Sequence, residues 1–485
     1  MQKSKLYEIL MSFDGHDFNR AKKYLNSPFF NEEHELINLL ELFDKSWQQD
    51  RSFPTDKVGI YTALFPRKKF NDKHYRYLIS GLTKHLENFV TQKRMQQDPR
   101  SFVLEKQKAL LQRKCGKSFQ FVTSEIKQIL KTGTQDSGVL LAMHDSALAE
   151  LEFKSSLKTR KASFTFDSII DDLDRFYVAR KLQLVSEQIN AQNVIAGNSK
   201  IRMLEEVKSI AEDPELATIP SIELYHTVFL TLTESGNEIH FEKLKQFLVE
   251  KGELFSIKEQ KEVVQYLKNF CIKQINLGKT EFVEKLFEIY KLSLHNKKIL
   301  RSEFMSPWEY KNIVTIGLRM KEYNWVKKFI DDYNRFLEPA QQKNALVYNL
   351  ANWHFFRAEF SETLKLFQEV EFTDLYYQLD VRAILLKAYY SLGDEETFYY
   401  HASAFRSFLS RNGLVSEYQR KIYRNFVRYV VRLMRDSGNA KKLNQLLEEV
   451  REVRQIADFR WLEEKVFEEL RVGHDHSIRV ASNSE

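Results

Sequence analysis

Apolar residues recur every three or four positions along most of this chain, separated by charged and polar residues. One such stripe near the amino terminus consists of Leu36, Leu39, Leu40, Phe43 and Trp47. This spacing follows the α-helical period of about 3.6 residues, so it predicts an amphipathic helix. Residues that interrupt helices are scarce, with 15 glycines and 8 prolines among 485 residues. Because few breakers leave room for few turns, the pattern predicts an all-α protein.

The first part of the chain, residues 1–98, is predicted to be a small N-terminal helical domain, whose last helix ends before Pro99. Residues 99–165 are less regular, and we expect an irregular, basic connector region there. Two short runs within it, at 117–122 and 162–167, alternate polar and apolar residues as a strand does. They leave two alternatives open, namely a small hairpin or helix ends that flank a loop.

Beyond residue 166 the apolar stripes come in pairs separated by turn-forming positions. Successive candidate turns lie between 35 and 45 residues apart. The six positions are Gly236, Gly278, Lys321, Ala358, Gly393 and Gly438. Such a repeat length is typical of helix-pair solenoids, so residues 166–472 are predicted to form one. Residues 473–485, which follow the last predicted helix, are predicted to be a flexible tail.

The segment 348–370, YNLANWHFFRAEFSETLKLFQEV, resembles one tetratricopeptide repeat. It has an aromatic-rich first helix, a tight turn and a second helix, with small Ala351 and Thr363 where that family places close helix contacts. The next unit keeps the Tyr-Tyr and Gly-Asp features at an offset of 35 residues, but it has the larger Leu386 and Phe398 where the family has small residues. The resemblance implies a tetratricopeptide-like α-solenoid that binds a protein or peptide in a concave groove, and it implies no catalysis.

Charge is distributed unevenly along the chain, whose formal net charge is +7. Residues 51–161 contain 22 basic and 10 acidic side chains, whereas residues 201–250 contain 4 basic and 10 acidic ones. A basic segment of this size can bind nucleic acid through phosphates, or an acidic segment of the same fold can neutralise it. No run of exposed aromatics or glycine-rich loops accompanies the basic clusters, so we expect nucleic-acid binding to be weak and non-specific.

The two cysteines, Cys115 and Cys271, lie too far apart in sequence for a local metal site and indicate no disulfide framework. No signal-peptide pattern opens the chain, and no uncharged apolar stretch is long enough to span a bilayer. We therefore expect a cytoplasmic protein without a membrane partner.

No catalytic or cofactor-binding motif is complete in this sequence. Gly133 and Gly138 have the spacing of a phosphate-binding loop, but the lysine and hydroxyl that would contact phosphate and Mg²⁺ are missing. The run GHDH at 473–476 is expected to be solvated tail rather than a metal site. The aspartates at 171–174 are expected to be a solvated helix start, because no facing carboxylate group can be assigned. We predict that the protein is not an enzyme and holds no cofactor or metal.

A row of arginines lies on one face of the helix predicted over residues 418–436. Its members are Arg420, Arg424, Arg428, Arg432 and Arg435. On a helical projection they fan across about a third of the circumference, opposite an apolar face. Like charges four residues apart repel, so the row requires compensating anions. These come either from the glutamates of the following helices or from an acidic partner or phosphate backbone.

These observations predict a non-enzymatic helical-repeat scaffold or adaptor that binds a protein or peptide of acidic character. The arginine row is its candidate partner-binding site. The alternative is a nucleic-acid-binding protein that uses residues 51–161 together with the same arginines.

Overall fold

The computed structural model describes nearly the whole chain, and it is helical throughout the described part. The described ranges are 4–156, 166–192, 201–234, 236–296, residue 300, 304–369, 374–453 and 455–482, with backbone only at 192, 376 and 472–482. Over these residues the backbone forms 23 α-helices and three short 3-10 helices, and none of it is a strand. The prediction of an all-α protein is confirmed.

The chain divides into two compact units, of which unit 1 comprises residues 1–229 and 253–256. The helix α11 runs across the first division into unit 2. Numbered in chain order, the helices up to that point are α1 Lys5–Met11, α2 Gly15–Leu25, α3 His34–Asp50, α4 Lys57–Leu64, α5 Asp72–Gln97, α6 Pro99–Gln112, α7 Gly116–Thr132, α8 Ser137–Ser156, α9 Phe166–Gln192, α10 Leu204–Ala211 and α11 Pro220–Thr233.

Unit 2 comprises residues 230–252 and 257–485. Its helices are α12 Glu238–Lys251, α13 Ile257–Asn276, α14 Phe282–His295, α15 Pro307–Arg319, α16 Tyr323–Tyr333, α17 Pro339–Phe356, α18 Phe360–Gln368, α19 Leu375–Leu392, α20 Glu395–Arg411, α21 Glu417–Asp436, α22 Ala440–Val453 and α23 Phe459–Ser482.

Helix boundaries in unit 1 follow from the side chains at the start of each helix. At the start of α5 the Asn71 side chain accepts a hydrogen bond from the His74 backbone N–H at 3.1 Å. At the start of α6 the Asp98 side chain accepts one from the Ser101 N–H at 3.3 Å. Pro99 takes the first position of α6, where its missing N–H leaves nothing unsatisfied. The predicted helix end before Pro99 is confirmed.

The prediction that residues 99–165 are irregular is wrong for the residues that are described. They form α6, α7 and most of α8, and the run at 117–122 lies inside α7. The alternation of polar and apolar residues covers only this short run. Phe119 and Val122 are buried at a helical spacing, which continues through Ile126. The hairpin alternative therefore does not apply to this run. Most of the second run lies in residues 157–165, outside the described residues.

The predicted domain limits also differ from the observed units. The boundaries after residues 98 and 165 both lie inside unit 1. The residues before 98 nevertheless form one buried cluster of their own, in which the stripes of α3 and α5 pack together. At the carboxyl end the backbone of α23 is helical up to Ser482, so most of the predicted tail continues a helix.

In unit 2 the helices from α12 to α23 pack mainly against their neighbours in sequence. Each helix from α14 onward packs on the next one, and the odd-numbered helices also pack on one another in order. We call these odd-numbered helices the helix row. It consists of α15, α17, α19, α21 and α23. The even-numbered helices from α16 to α22 lie between them in sequence, as the second member of each pair.

The turns between helix pairs lie where the sequence predicted them. Five of the six predicted turn residues have a positive φ, namely Gly278, Lys321, Ala358, Gly393 and Gly438. A residue in the left-handed conformation just after a helix lets the following backbone N–H groups bond the last carbonyls of that helix. Glycine adopts the left-handed conformation without strain. The sixth, Gly236, lies between α11 and α12.

The repeat that resembles a tetratricopeptide has the close helix contact that its small residues imply. Ala351 of α17 and Thr363 of α18 are fully buried, and the Thr363 hydroxyl donates to the Ala351 carbonyl at 3.3 Å. In the following pair, Leu386 of α19 and Phe398 of α20 are fully buried as well. The larger residues therefore occupy the core of the second pair.

Candidate functional site

The arginine row lies on α21, and its first member is used inside the protein. The Arg420 guanidinium donates to the carbonyls of Leu409, Ser410, Asn412 and Val415, at 3.3 Å for Ser410 and 3.1 Å for Val415. Three of these carbonyls lie at the carboxyl end of α20, where helix carbonyls have no partner in the helix and the dipole is negative. Arg420 therefore caps the preceding helix.

Two further arginines pair with carboxylates of the same unit. Arg432 contacts both carboxylate oxygens of Glu449 on α22, and this hydrogen bond is the main reason that the pKa of Glu449 is lowered. Arg435 donates to both oxygens of the buried Asp436 at 2.9 and 3.0 Å. The acidic helix α22 thus supplies Glu449 as one of the anions that compensate the arginine row.

Arg424 and Arg428 differ from the other three arginines of the row. Both are exposed. Arg424 donates to the Ser410 hydroxyl at 3.2 Å, and Arg428 lies 5.2 Å from the centre of the Tyr429 ring. Among the described residues neither has a carboxylate within salt-bridge distance. A partner-binding role of the row stays a prediction, and these two side chains are the ones left for it.

Replacing Arg432 is expected to destabilise the protein more than replacing Arg428. The change Arg432→Ala leaves the Glu449 carboxylate without its two charge-assisted hydrogen bonds, at a cost of about 1–2 kcal/mol in unfolding free energy. The change Arg428→Ala is expected to cost less than about 0.5 kcal/mol, because the side chain is exposed. Chemical denaturation of the two variants measures the difference. Equal stabilities would show that the Arg432 pair contributes nothing.

Several cations of the basic segment 51–161 already have partners in unit 1. Lys93 pairs with Asp17, and Arg100 contacts Asp136 at 2.8 Å. Others remain exposed, among them the lysines at 68 and 69. Residues 158–161, which belong to the same predicted clusters, lie outside the described residues. Nucleic-acid binding by this segment stays a prediction.

A second group of charges was not singled out by sequence and lies on the helix row. Asp380 of α19 accepts hydrogen bonds from the Lys311 ammonium, from the Tyr423 hydroxyl at 2.8 Å and from the Tyr348 hydroxyl at 3.3 Å. These residues come from α15, α17, α19 and α21, so one carboxylate joins four helices. Burial, and then the Asp380 charge, raise the pKa of Tyr423, which keeps its hydroxyl a donor.

Aromatic rings surround the Lys311 ammonium. Its Nζ atom lies 5.3, 5.4 and 5.7 Å from the ring centres of Trp308, Tyr348 and Tyr377. Burial, then the charges of Asp374 and Asp380, raise the pKa of Tyr377 to about 12. The negative ring faces favour a cation, so the rings and Asp380 together stabilise a largely buried ammonium.

Further along the helix row, Lys387 of α19 contacts Asp458 at 2.7 Å. The Lys387 side chain is only 9% exposed, whereas the Asp458 side chain remains 45% exposed. Lys387 also lies near the rings of Phe355 and Trp461, at 5.0 and 5.7 Å. Asp458 precedes α23 in the left-handed conformation, with a φ of 49°. That conformation is uncommon outside glycine and is more often found at functional positions.

Two arginines complete this group. Arg319 ends α15 and Arg460 begins α23; both are exposed, and among the described residues neither has a carboxylate within salt-bridge distance. Desolvation by the surrounding protein atoms is the main cause that lowers the pKa of Arg319, and the positive charge of Arg460 lowers it further. The negative charge of Asp458 acts in the opposite direction and raises this pKa. The Asp458 pKa, which burial alone would raise, is lowered overall by Lys387, Arg319 and Lys311. Residues 319 and 458 are thus neighbours in space although three helices of the row separate them in sequence.

We call these six charged side chains the polar face of the helix row. They are Lys311, Arg319, Asp380, Lys387, Asp458 and Arg460. The four cations outnumber the two carboxylates, and each carboxylate already contacts one lysine. The exposed guanidiniums of Arg319 and Arg460 are therefore available to an anion from outside, which their planar N–H groups can bind in a bidentate manner.

The aspartates at 171–174 and the run at 473–476 were the other sequence candidates, and both were expected to be solvated. Asp172 is buried beside Arg175 at 3.2 Å, and burial raises its pKa. It is therefore not part of the solvated helix start that the sequence predicted, although Asp171 and Asp174 are exposed. The side chains of the run 473–476 lie outside the described ones.

Within the part of the chain that the structure describes, no group of three or more His, Cys, Asp or Glu side chains is placed to hold a metal ion. No helix there combines the length and the apolar character needed to cross a membrane.

Comparison of the chain with protein-family models, with characterised proteins and with solved structures finds no match. The resemblance to tetratricopeptide repeats therefore rests on the residues of this chain alone.

Proposed function

We propose that the helices α12 to α23 form a tetratricopeptide-like solenoid, and that the protein is a non-enzymatic scaffold whose helix row binds an acidic peptide or protein segment. The order of packing supports the solenoid, because each helix contacts chiefly its sequence neighbours. The left-handed turns between pairs and the buried contact of Ala351 with Thr363 support it further.

The observation that carries the binding proposal is the pair Arg319 and Arg460. These guanidiniums belong to the first and last helices of the row, and the charge of Arg460 helps to lower the pKa of Arg319. Among the described residues neither has a carboxylate within salt-bridge distance. Placing two like charges together costs free energy unless an anion compensates them. An acidic peptide supplies carboxylates, and exposed aromatic surface of the row, such as that of Trp308 (39% exposed), is available to its remaining atoms.

The proposed scaffold acts in the cytoplasm and needs no cofactor. Two thiols without a disulfide partner, the exposed Cys115 and the buried Cys271, fit a reducing compartment. Burial raises the pKa of Cys271 to about 12, so that thiol is expected to stay protonated and unreactive.

The full-length protein is expected to bind a fluorescent glutamate-rich peptide of about ten residues, measured by anisotropy at physiological salt. The double change Arg319→Glu and Arg460→Glu is expected to weaken this binding at least about tenfold, because it replaces two donors by two repelling charges. A second variant, Arg319→Gln with Arg460→Gln, is expected to weaken it less.

The matched control is Arg424→Glu with Arg428→Glu, which alters the net charge by the same amount on the exposed arginine row. We expect it to change the affinity by less than about twofold. If it abolishes binding and the first pair does not, the row on α21 is the binding site. If both pairs act equally, the peptide responds only to net charge and the proposal is wrong.

A further inference from the structure

Helix α9 in unit 1 has apolar side chains on two faces, and only one of them is covered by residues that the structure describes. Val178, Ala179, Leu182 and Val185 are buried in unit 1. A second set lies within about 60° on a helical projection and stays exposed. It consists of Ile170 (55% exposed), Leu173 (45%), Tyr177 (38%) and Leu184 (51%), and we call it the α9 stripe.

The spacing of the α9 stripe is that of a helix seam. Successive members are three, four and seven residues apart, which are the intervals between the a and d positions of a heptad. Arg180 occupies the d position between Tyr177 and Leu184, so the strip is apolar at its other positions. A seam of this kind normally packs against a second helix, because exposed apolar surface is costly in water. The Tyr177 hydroxyl contacts the Met203 sulfur at 3.7 Å and the Lys181 ammonium lies 5.9 Å from the centre of its ring, while 38% of Tyr177 stays exposed.

Three exposed acids precede two cations along α9. The acids are Asp167, Asp171 and Asp174 and the cations are Arg180 and Lys181, and none of these five has an ionic partner within salt-bridge distance among the described residues. The helix also carries Asp172 and Arg175, which pair with each other, and Glu187 nearer its carboxyl end. Asp174 and Lys181 lie on the same flank of the stripe, one heptad apart.

We propose that the α9 stripe is the interface of a homodimer in which two copies of α9 pack antiparallel about a twofold axis. In an antiparallel pair Asp174 of one copy meets Lys181 of the second, because both lie on the same flank of the stripe. A parallel pair would place like charges together. A twofold axis makes this contact twice, because the same surface serves both subunits.

The dimer is expected to be weak and dependent on concentration. Four large side chains per copy are far fewer than the roughly 20–30 residues a side of a standard interface, so we expect a Kd on the order of 10–100 µM. Sedimentation equilibrium of the full-length chain between about 1 and 200 µM should show the mass rising from the monomer toward the dimer.

The change Leu173→Glu is expected to weaken self-association at least about tenfold, because it places a charge in the centre of the apolar seam. The control is Ile239→Glu, which places the same charge at a more exposed apolar residue on α12, where 73% of Ile239 is accessible. It should leave the dimer unchanged. The proposal is wrong if the wild-type chain stays monomeric up to about 200 µM. It is also wrong if Leu173→Glu and Ile239→Glu weaken self-association equally.

Charge exchange separates this interface from a general effect on folding. Asp174→Lys alone and Lys181→Asp alone should each weaken the dimer, because each places like charges opposite one another twice. An equimolar mixture of these two variants should associate again, since every contact in the mixed dimer then joins opposite charges. If the mixture stays as weak as its components, the antiparallel arrangement is wrong.

Discussion

Replacing Asp380 by alanine is expected to lower the free energy of unfolding by about 3 kcal/mol, because it leaves the Lys311 ammonium largely buried without its counter-charge. The Lys311 side chain is only 17% exposed and that of Asp380 27%. Two tyrosine hydroxyls, of Tyr423 and Tyr348, also lose their acceptor. An unsatisfied buried donor typically costs about 1–3 kcal/mol, so the effect should be visible in urea denaturation.

The double variant Asp380→Ala with Lys311→Met distinguishes the lost charge pair from other effects. Methionine keeps an apolar stem between the aromatic rings but removes the ammonium, so we expect the double variant to be more stable than Asp380→Ala alone. The control is Asp331→Ala, which removes an exposed ion pair with Lys327. It should cost less than about 0.5 kcal/mol. Purely additive losses would mean that Lys311 and Asp380 are not coupled.

The second large effect is expected at Gly317, where α15 and α16 approach most closely. A β-carbon added there would lie 2.5 Å from a methyl carbon of Val326 and 3.4 Å from the ring of Phe287. Val326 is fully buried and branched at its own β-carbon, so it has little freedom to turn away. Overpacking of this kind destabilises a protein by up to about 3 kcal/mol. Alanine favours the helix over glycine by up to about 1 kcal/mol, so we expect Gly317→Ala to lower the free energy of unfolding by about 2 kcal/mol.

Removing the obstructing methyl groups should restore part of this loss. We expect Gly317→Ala with Val326→Ala to be more stable than the sum of the two single changes predicts, because the new methyl group fills the space that valine leaves. Gly413→Ala is the control, since Gly413 has no atom within 4 Å of the added carbon. It should change the stability by less than about 0.5 kcal/mol. A melting temperature of Gly317→Ala equal to that of Gly413→Ala would contradict the close approach.

The turns of unit 2 could be located from the sequence, whereas the roles of its charged side chains could not. The turn at Ala358 was recognisable in the sequence because the helical spacing of apolar residues is interrupted there, which is a local signal. The backbone of Ala358 is left-handed, as is common at the end of a helix. The arginine row was recognised as well, but its roles were not separable in sequence. Which arginine caps α20 and which pairs with Glu449 depends on how α20 and α22 pack on α21.

The polar face illustrates the same limit for the candidate site. Lys387 stands in the apolar run AILLKAYY, and a charge inside such a run was a signal that could have been noticed. Arg319 and Arg460 offered no such signal, because each lies at a helix end among other charges. The basic segment 51–161 stood out by composition instead, although part of its charge is neutralised locally by pairs such as Lys93 with Asp17.

By itself the sequence determined that this protein is all-α and where most of its helices end, since helix periodicity and capping act over a few residues. It also contained the small residues that bring α17 and α18 together. Only the tertiary structure decided that Arg319 lies near Asp458, and that no described residue covers the second apolar face of α9. The physical reason is range. Local periodicity repeats within one helix, whereas contacts between distant helices depend on the accumulated packing angles of every helix between them.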